Sequence, residues 1–176
     1  MFEEELKKYE RELKEFKFPK ICEMPMVDLY MDQVIEYTKN FFKIIALEGQ
    51  KELITPSMIN NYVKSGIIPS PKGKKYSRRH IAYIIAVFYL KQILSLDEVK
   101  ALIAHQIKQN DESGAYCYFC ESLESEFSNC CNHHYNEIIN DSNSTYENFS
   151  LKYSARGIAN KIYAQHIIEL QKKLIN

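Results

Sequence analysis

From Ser77 to Leu94 the chain reads SRRHIAYIIAVFYLKQIL, and after its first turn almost every position is apolar. A helix that is apolar on all sides must be surrounded by other elements or by lipid. Lipid is a poor fit: the run Ile81 to Leu90 falls short of the ~18 residues a membrane span needs, and Arg78, Arg79, His80 and Lys91 bound it. The helix is therefore expected at the centre of a water-exposed domain. With 176 residues, 45% of them hydrophobic, the chain can build one good core and dock a smaller appendage on it.

Strong local signals flank this hub. Thr55-Pro56 reads as a helix N-cap followed by proline at the first helical position, where the missing N–H costs nothing. In the short helix that follows, Met58, Ile59, Tyr62 and Val63 share an inward face, while Ser57, Asn60, Asn61 and Lys64 look outward. Gly66 closes it in a position that tolerates a left-handed backbone. The segment IIPSPKGKKYS, with Pro69, Pro71 and Gly73, cannot be helical and suggests a small two-stranded wing. Beyond the hub, Ser95-Leu96-Asp97-Glu98 is a capping box that starts a helix running to about Lys108.

Upstream, Phe2, Leu6, Tyr9, Leu13 and Phe16 form one seam of an amphipathic helix that ends at Phe18-Pro19. Asp28 is placed to cap a second helix extending to about Leu47, followed by a loop from Glu48 to Leu53 that includes Gly49. Downstream the pattern weakens. A break at Asp111 to Gly114 is followed by an irregular helical stretch from Ala115 to Ile139 and a polar loop from Asn140 to Ser144. A last helix from about Ser154 sets Ala159, Tyr163, Ile167, Leu170 and Leu174 on one stripe.

The net charge is zero, with 23 basic and 23 acidic residues, which by itself argues against a nucleic-acid partner. Its distribution argues the other way. From Thr55 to His80, 26 consecutive residues, there is no Asp or Glu, while Lys64, Lys72, Lys74, Lys75, Arg78 and Arg79 contribute six positive charges. A solvated surface ordinarily mixes both signs, so an acid-free cationic stretch is the footprint expected of a phosphate-binding face. On the outward helix face, an Asn can make paired hydrogen bonds to the adenine edge in the major groove. Ser57, Asn60, Asn61 and Lys64 are thus candidate base readers. Lys72, Lys74, Lys75, Arg78 and Arg79 are candidate phosphate contacts that fix register. Tyr62 and Tyr76 are read as mainly structural.

In order and spacing, Tyr62, Gly66-Ile67-Ile68-Pro69, Tyr76-Ser77 and Ser95-Leu96-Asp97-Glu98-Val99 resemble the DNA-reading half of MerR-type regulators. That family's usual Arg-Tyr-Tyr on the reading helix is Asn60-Asn61-Tyr62 here, and its long dimerising helix and effector domain are not recognisable after Lys108. The phrases LYMDQVIEY, ITPSMINNYV and KKYSRRHIAYI also resemble the bacterial family called domain of unknown function 1836, over roughly Asp28 to Lys108. The resemblance implies a MerR-like DNA-binding fold and a regulatory role, without naming a ligand or an operator.

The cysteines offer a different chemistry. Cys117, Cys120, Cys130 and Cys131, with His133 and His134, are enough soft ligands for a tetrahedral zinc site. The intervening ESLESEFSN looks helical and lacks the turn residues of a zinc knuckle, so no metal or other cofactor is expected. Five cysteines and an N-terminus without an apolar signal region point to reduced thiols in the cytoplasm. No phosphate-cradling glycine loop, nucleophile elbow or paired-carboxylate motif is present, so no enzymatic role is expected.

The sequence therefore predicts an all-α fold: a MerR-like winged helix-turn-helix with a small two-stranded wing and extra N- and C-terminal helices. Its parts are an amphipathic helix (1–18), a DNA-binding domain (28–108) and a helical extension (115–176) for dimerisation or sensing. The expected function is transcriptional regulation through a reading helix (55–65) and a basic wing (69–79). The expected partners are double-stranded DNA and a second copy of the chain, with no membrane. Two alternatives stand beside it: a protein-interaction module on the same fold, and a zinc-responsive regulator using the Cys/His cluster.

Overall fold

The computed structural model describes residues 2–46, 53–140 and 146–175, with side chains for 4–46, 53–132 and 150–173. The predicted loops around Gly49 and from Asp141 to Ser144, and the side chains of Phe2, His133, His134 and Leu174, lie outside these residues. The described chain is mostly helical. In order it forms α1 (Phe2–Glu15), β1 (Leu29–Tyr30), α2 (Met31–Phe42), α3 (Pro56–Lys64), β2 (Lys75–Tyr76), α4 (Arg78–Leu90), α5 (Leu96–Gln109), α6 (Glu112–Asn140) and α7 (Tyr146–Ile175). Two compact units share these elements: Phe18–Cys120, and Met1–Lys17 with Glu121–Asn176.

In the Phe18–Cys120 unit, α4 is the hub its composition demands. Ile81, Ile84, Ile85 and Val87 are fully buried, and Phe88 and Tyr89 nearly so. α2 buries Val34, Thr38 and Phe42, with the Phe42 ring stacked on Phe88 of α4 at a centroid separation of 3.7 Å. Two hydroxyls at this packing are satisfied by backbone carbonyls: the Thr38 hydroxyl donates to the Val34 carbonyl at 2.8 Å, and the Tyr89 hydroxyl donates to the Phe41 carbonyl. Removing methylenes from such a site leaves a void as well as losing transfer energy.

α4 ends at Leu90 rather than Leu94. Residues 91–94 form a turn, since Ser95 must be extended (φ −69°, ψ 165°) to cap α5. The capping box forms as predicted: Ser95 N–H donates to Glu98 Oε2 at 2.7 Å, and Glu98 N–H donates to Ser95 Oγ at 3.3 Å.

The start of α2 differs because of one long-range pairing. β1 pairs antiparallel with β2, matching Leu29 with Tyr76 and Tyr30 with Lys75. Drawn into this strand, Leu29 and Tyr30 cannot be helical, so α2 starts at Met31 and Asp28 is not its cap. The Tyr30 N–H is satisfied by Gln33 Oε1 at 2.9 Å. α2 stops at Phe42 and gives way to a 3-10 turn over Lys43–Ile45.

The predicted wing is reduced to its tip. Gly73 (φ 57°) and Lys74 (φ 61°) are both left-handed, Lys75 N–H donates to the Lys72 carbonyl at 3.0 Å, and Lys72 and Lys75 form a single antiparallel bridge. This is the two-residue turn whose twist suits a hairpin. The arm before it contains Pro69 and Pro71, which have no N–H to donate to a ladder, and β1 takes its place as the partner of β2.

In the other unit α1 is tied to the later part of α6. Phe16 meets Phe127 edge-on at 6.0 Å, Lys17 pairs with Glu124 at 2.8 Å, and the buried Cys131 faces the Glu10 carbonyl. The apolar seam of α1 is thus partly used within the chain. On α7, Ile168 is buried, whereas Leu151, Ile158, Ile162, Tyr163, Ile167 and Leu170 are exposed. The predicted stripe of Ala159, Tyr163, Ile167 and Leu170 faces away from the packed side. No helix among the described residues is long and apolar enough to cross a membrane.

Candidate nucleic-acid interface

All nine predicted contact residues lie in the Phe18–Cys120 unit. α3 is fixed at both ends by its own sequence. Thr55 Oγ1 accepts from Met58 N–H at 3.2 Å with Pro56 behind it, and Gly66 turns the chain at φ +70°. Ile59 and Tyr62 anchor the inner face. Ser57, Asn60, Asn61 and Lys64 are all exposed on the other. At the C-terminal end the Lys100 ammonium donates to the Ser65 carbonyl at 3.1 Å, placing a cation where the helix dipole is negative.

The hairpin tip presents Lys72, Lys74 and Lys75, each exposed. Lys75 Nζ stands 5.2 Å from the centroid of the Tyr30 ring, its cross-strand neighbour. Arg78 is half-buried, and its Nε donates to the Pro25 carbonyl at 3.2 Å.

Arg79 is differently placed. Its guanidinium donates to Glu112 Oε1 and lies 5.9 Å from the Tyr83 ring, and the Tyr83 hydroxyl donates to the same carboxylate oxygen at 3.0 Å. The hydrogen bond it donates to Glu112 pushes the Arg79 pKa above its usual value. An acid absent from the local sequence is thus supplied 33 residues later.

Tyr62 and Tyr76 are buried, at 4% and 3% exposure. Burial raises the pKa of both phenols, which stay neutral. His80, on the first turn of α4, accepts the Ser77 N–H through Nδ1 at 3.0 Å. Burial lowers its pKa, against a smaller opposing effect of the Ser70 backbone.

Cys117 and Cys120 belong to the Phe18–Cys120 unit, and Cys130 and Cys131 to the other. Among the described residues no group of three or more His, Cys, Asp or Glu side chains could hold a metal. Burial raises the Cys130 and Cys131 pKa values, which favours thiol over metal-binding thiolate. His133 and His134, the other members of the predicted cluster, lie outside the described side chains.

Residues 19–130 match the family model described as domain of unknown function DUF1836, well over half of the chain. The chain belongs to the DUF1836 family. Neither a search of curated proteins nor one of solved structures returns a match. The DUF1836 region opens one residue after the start of the Phe18–Cys120 unit and contains every residue of the candidate surface. It also contains Tyr30, Lys100 and Glu112, which sequence reasoning missed because each acts through a partner at least 33 residues away.

Proposed function

We propose that this DUF1836 protein is a DNA-binding transcriptional regulator with a MerR-like winged helix-turn-helix. α2 and α3 form the helix pair, α3 enters the major groove, and the Lys72–Lys75 hairpin grips the flanking backbone. One observation carries the reading: a helix capped at both ends holds Ser57, Asn60, Asn61 and Lys64 outward, in a stretch of 26 residues whose six cations include no acid. The amides suit adenine edges, and the lysines suit phosphates. The protein works in the cytoplasm without a cofactor and without catalysis.

A single nine-residue helix makes few base contacts, and a two-fold pair doubles them on a palindromic site. The exposed apolar row on α7 supports pairing with a second copy. Ile162→Lys is expected to convert a dimer to a monomer in light scattering, and an unchanged mass would remove α7 from that role.

Genome-wide selection of fragments bound by the purified protein tests the DNA reading. Enrichment of one short, inverted-repeat sequence is expected. Recovery indistinguishable from input DNA would favour a protein-interaction module on the same fold, a reading for which the neutralised Arg79 is the one specific observation.

A further inference from the structure

The segment before α2 combines features that folding alone does not require. Met26 is 88% exposed, Val27 70% and Tyr30 55%. Exposed apolar side chains scattered singly need no explanation, but these three fall within five residues. Their backbone is held at both ends. Before them, the Pro25 carbonyl accepts from Arg78 Nε. After them, Tyr30 pairs with Lys75 across the β1–β2 ladder, with the Lys75 ammonium over its ring. Two cations assigned to phosphate contact are thus the groups that fix this apolar segment.

We infer that Met26, Val27 and Tyr30 form an apolar edge of the DNA-contacting surface, packing on deoxyribose faces beside phosphates neutralised by Lys75 and Arg78. The inference rests on the DNA-binding reading above. A nucleic-acid backbone presents apolar sugar faces between its charges, so a surface alternating apolar and cationic groups matches it in both respects. Side chains of this type also enter the minor groove, where apolar wedges open base steps. Tyr30 adds a positioning role, since a ring beneath the ammonium narrows where Lys75 can point.

The test uses the full chain and duplex DNA fragments selected from the genome. Met26→Ser/Val27→Ser removes apolar contact and no charge. Binding about tenfold weaker is expected, with an unchanged slope of log affinity against log salt. Lys74→Ala/Lys75→Ala, in contrast, lowers the slope. Tyr30→Phe should bind as wild type, and Tyr30→Leu should lose affinity only while Lys75 is present. Met26→Ser/Val27→Ser and Tyr30→Leu should unfold at the wild-type temperature, which separates lost contact from lost fold.

Unchanged affinity in Met26→Ser/Val27→Ser, with wild-type DNA binding intact, would overturn this inference and leave the DNA reading standing. No binding by the wild-type protein would sink both. Vesicles containing phosphatidylserine provide the competing case. If the double variant lost vesicle binding and kept DNA binding, the edge would belong to a lipid contact and the assignment would be wrong.

Discussion

Glu112→Gln is expected to strengthen DNA binding, and the size of the effect follows from the Arg79 environment. In the free protein the Arg79 guanidinium is committed to Glu112, with Tyr83 donating to the same oxygen. Replacing the carboxylate by an amide keeps the shape, removes the negative charge and leaves one more cation for phosphate. Each phosphate neutralised adds ~0.9 to the slope of log affinity against log salt. One extra contact therefore makes the gain over wild type about 3.5-fold larger at 50 mM than at 200 mM salt. The stability cost should be small, because the Arg79 side chain is 53% exposed and ion pairs in such settings contribute ~0–1 kcal/mol. Fluorescence anisotropy with a labelled duplex over a salt series reads the slope directly. Arg79→Ala alone should change it little, and Arg79→Ala/Glu112→Gln should restore the wild-type value. An unchanged or shallower slope in Glu112→Gln would refute the idea that Glu112 withholds Arg79 from DNA.

Three further outcomes concern stability and pH. Gly66→Ala forces a side chain into φ +70° and should destabilise the protein by about 1–2 kcal/mol in urea unfolding; no change would mean the α3 terminus is not left-handed in solution. Ser95→Ala removes the acceptor for Glu98 N–H and should cost about 1 kcal/mol, with a wild-type denaturation midpoint counting against the capping box. Burial lowers the folded-state pKa of His80, so below the unfolded value of ~6.5 the unfolded chain binds more protons. The stability that neutral His80 contributes is complete above pH ~6.5 and is lost as pH falls through the folded pKa. Stability measured from pH 7.5 to 5 should fall less steeply in His80→Gln than in wild type, and parallel curves would exclude His80 as the source.

What could be read from the sequence was local in origin. Thr55-Pro56, Gly66 and the Ser95–Glu98 box each act within four residues, and each appears where its pattern placed it. The all-round apolarity of α4 likewise announced a central helix. Features set by distant pairing were not legible. Leu29-Tyr30 looks like the start of a helix until residues 75–76 recruit it as a strand, and the same event shortens the wing. The acid-free stretch from Thr55 to His80 carries the exposed Lys64, Lys72, Lys74 and Lys75, yet Glu112 neutralises another of its cations, Arg79, from a different helix. On α7 the stripe of Ala159, Tyr163, Ile167 and Leu170 was visible, but the helix packs through Ile168 instead, because periodicity identifies an apolar face without saying what covers it.

On the proposed function, the exposed cations on the hairpin of the Phe18–Cys120 unit hold DNA phosphates. The most direct test measures affinity of the wild-type chain and of Lys74→Ala/Lys75→Ala for a selected duplex from 50 to 200 mM salt. Steep, linear weakening is expected for the wild type, with a slope about 1.8 shallower in the variant, ~0.9 for each lysine. Equal slopes for the two proteins, or binding insensitive to salt, would contradict it.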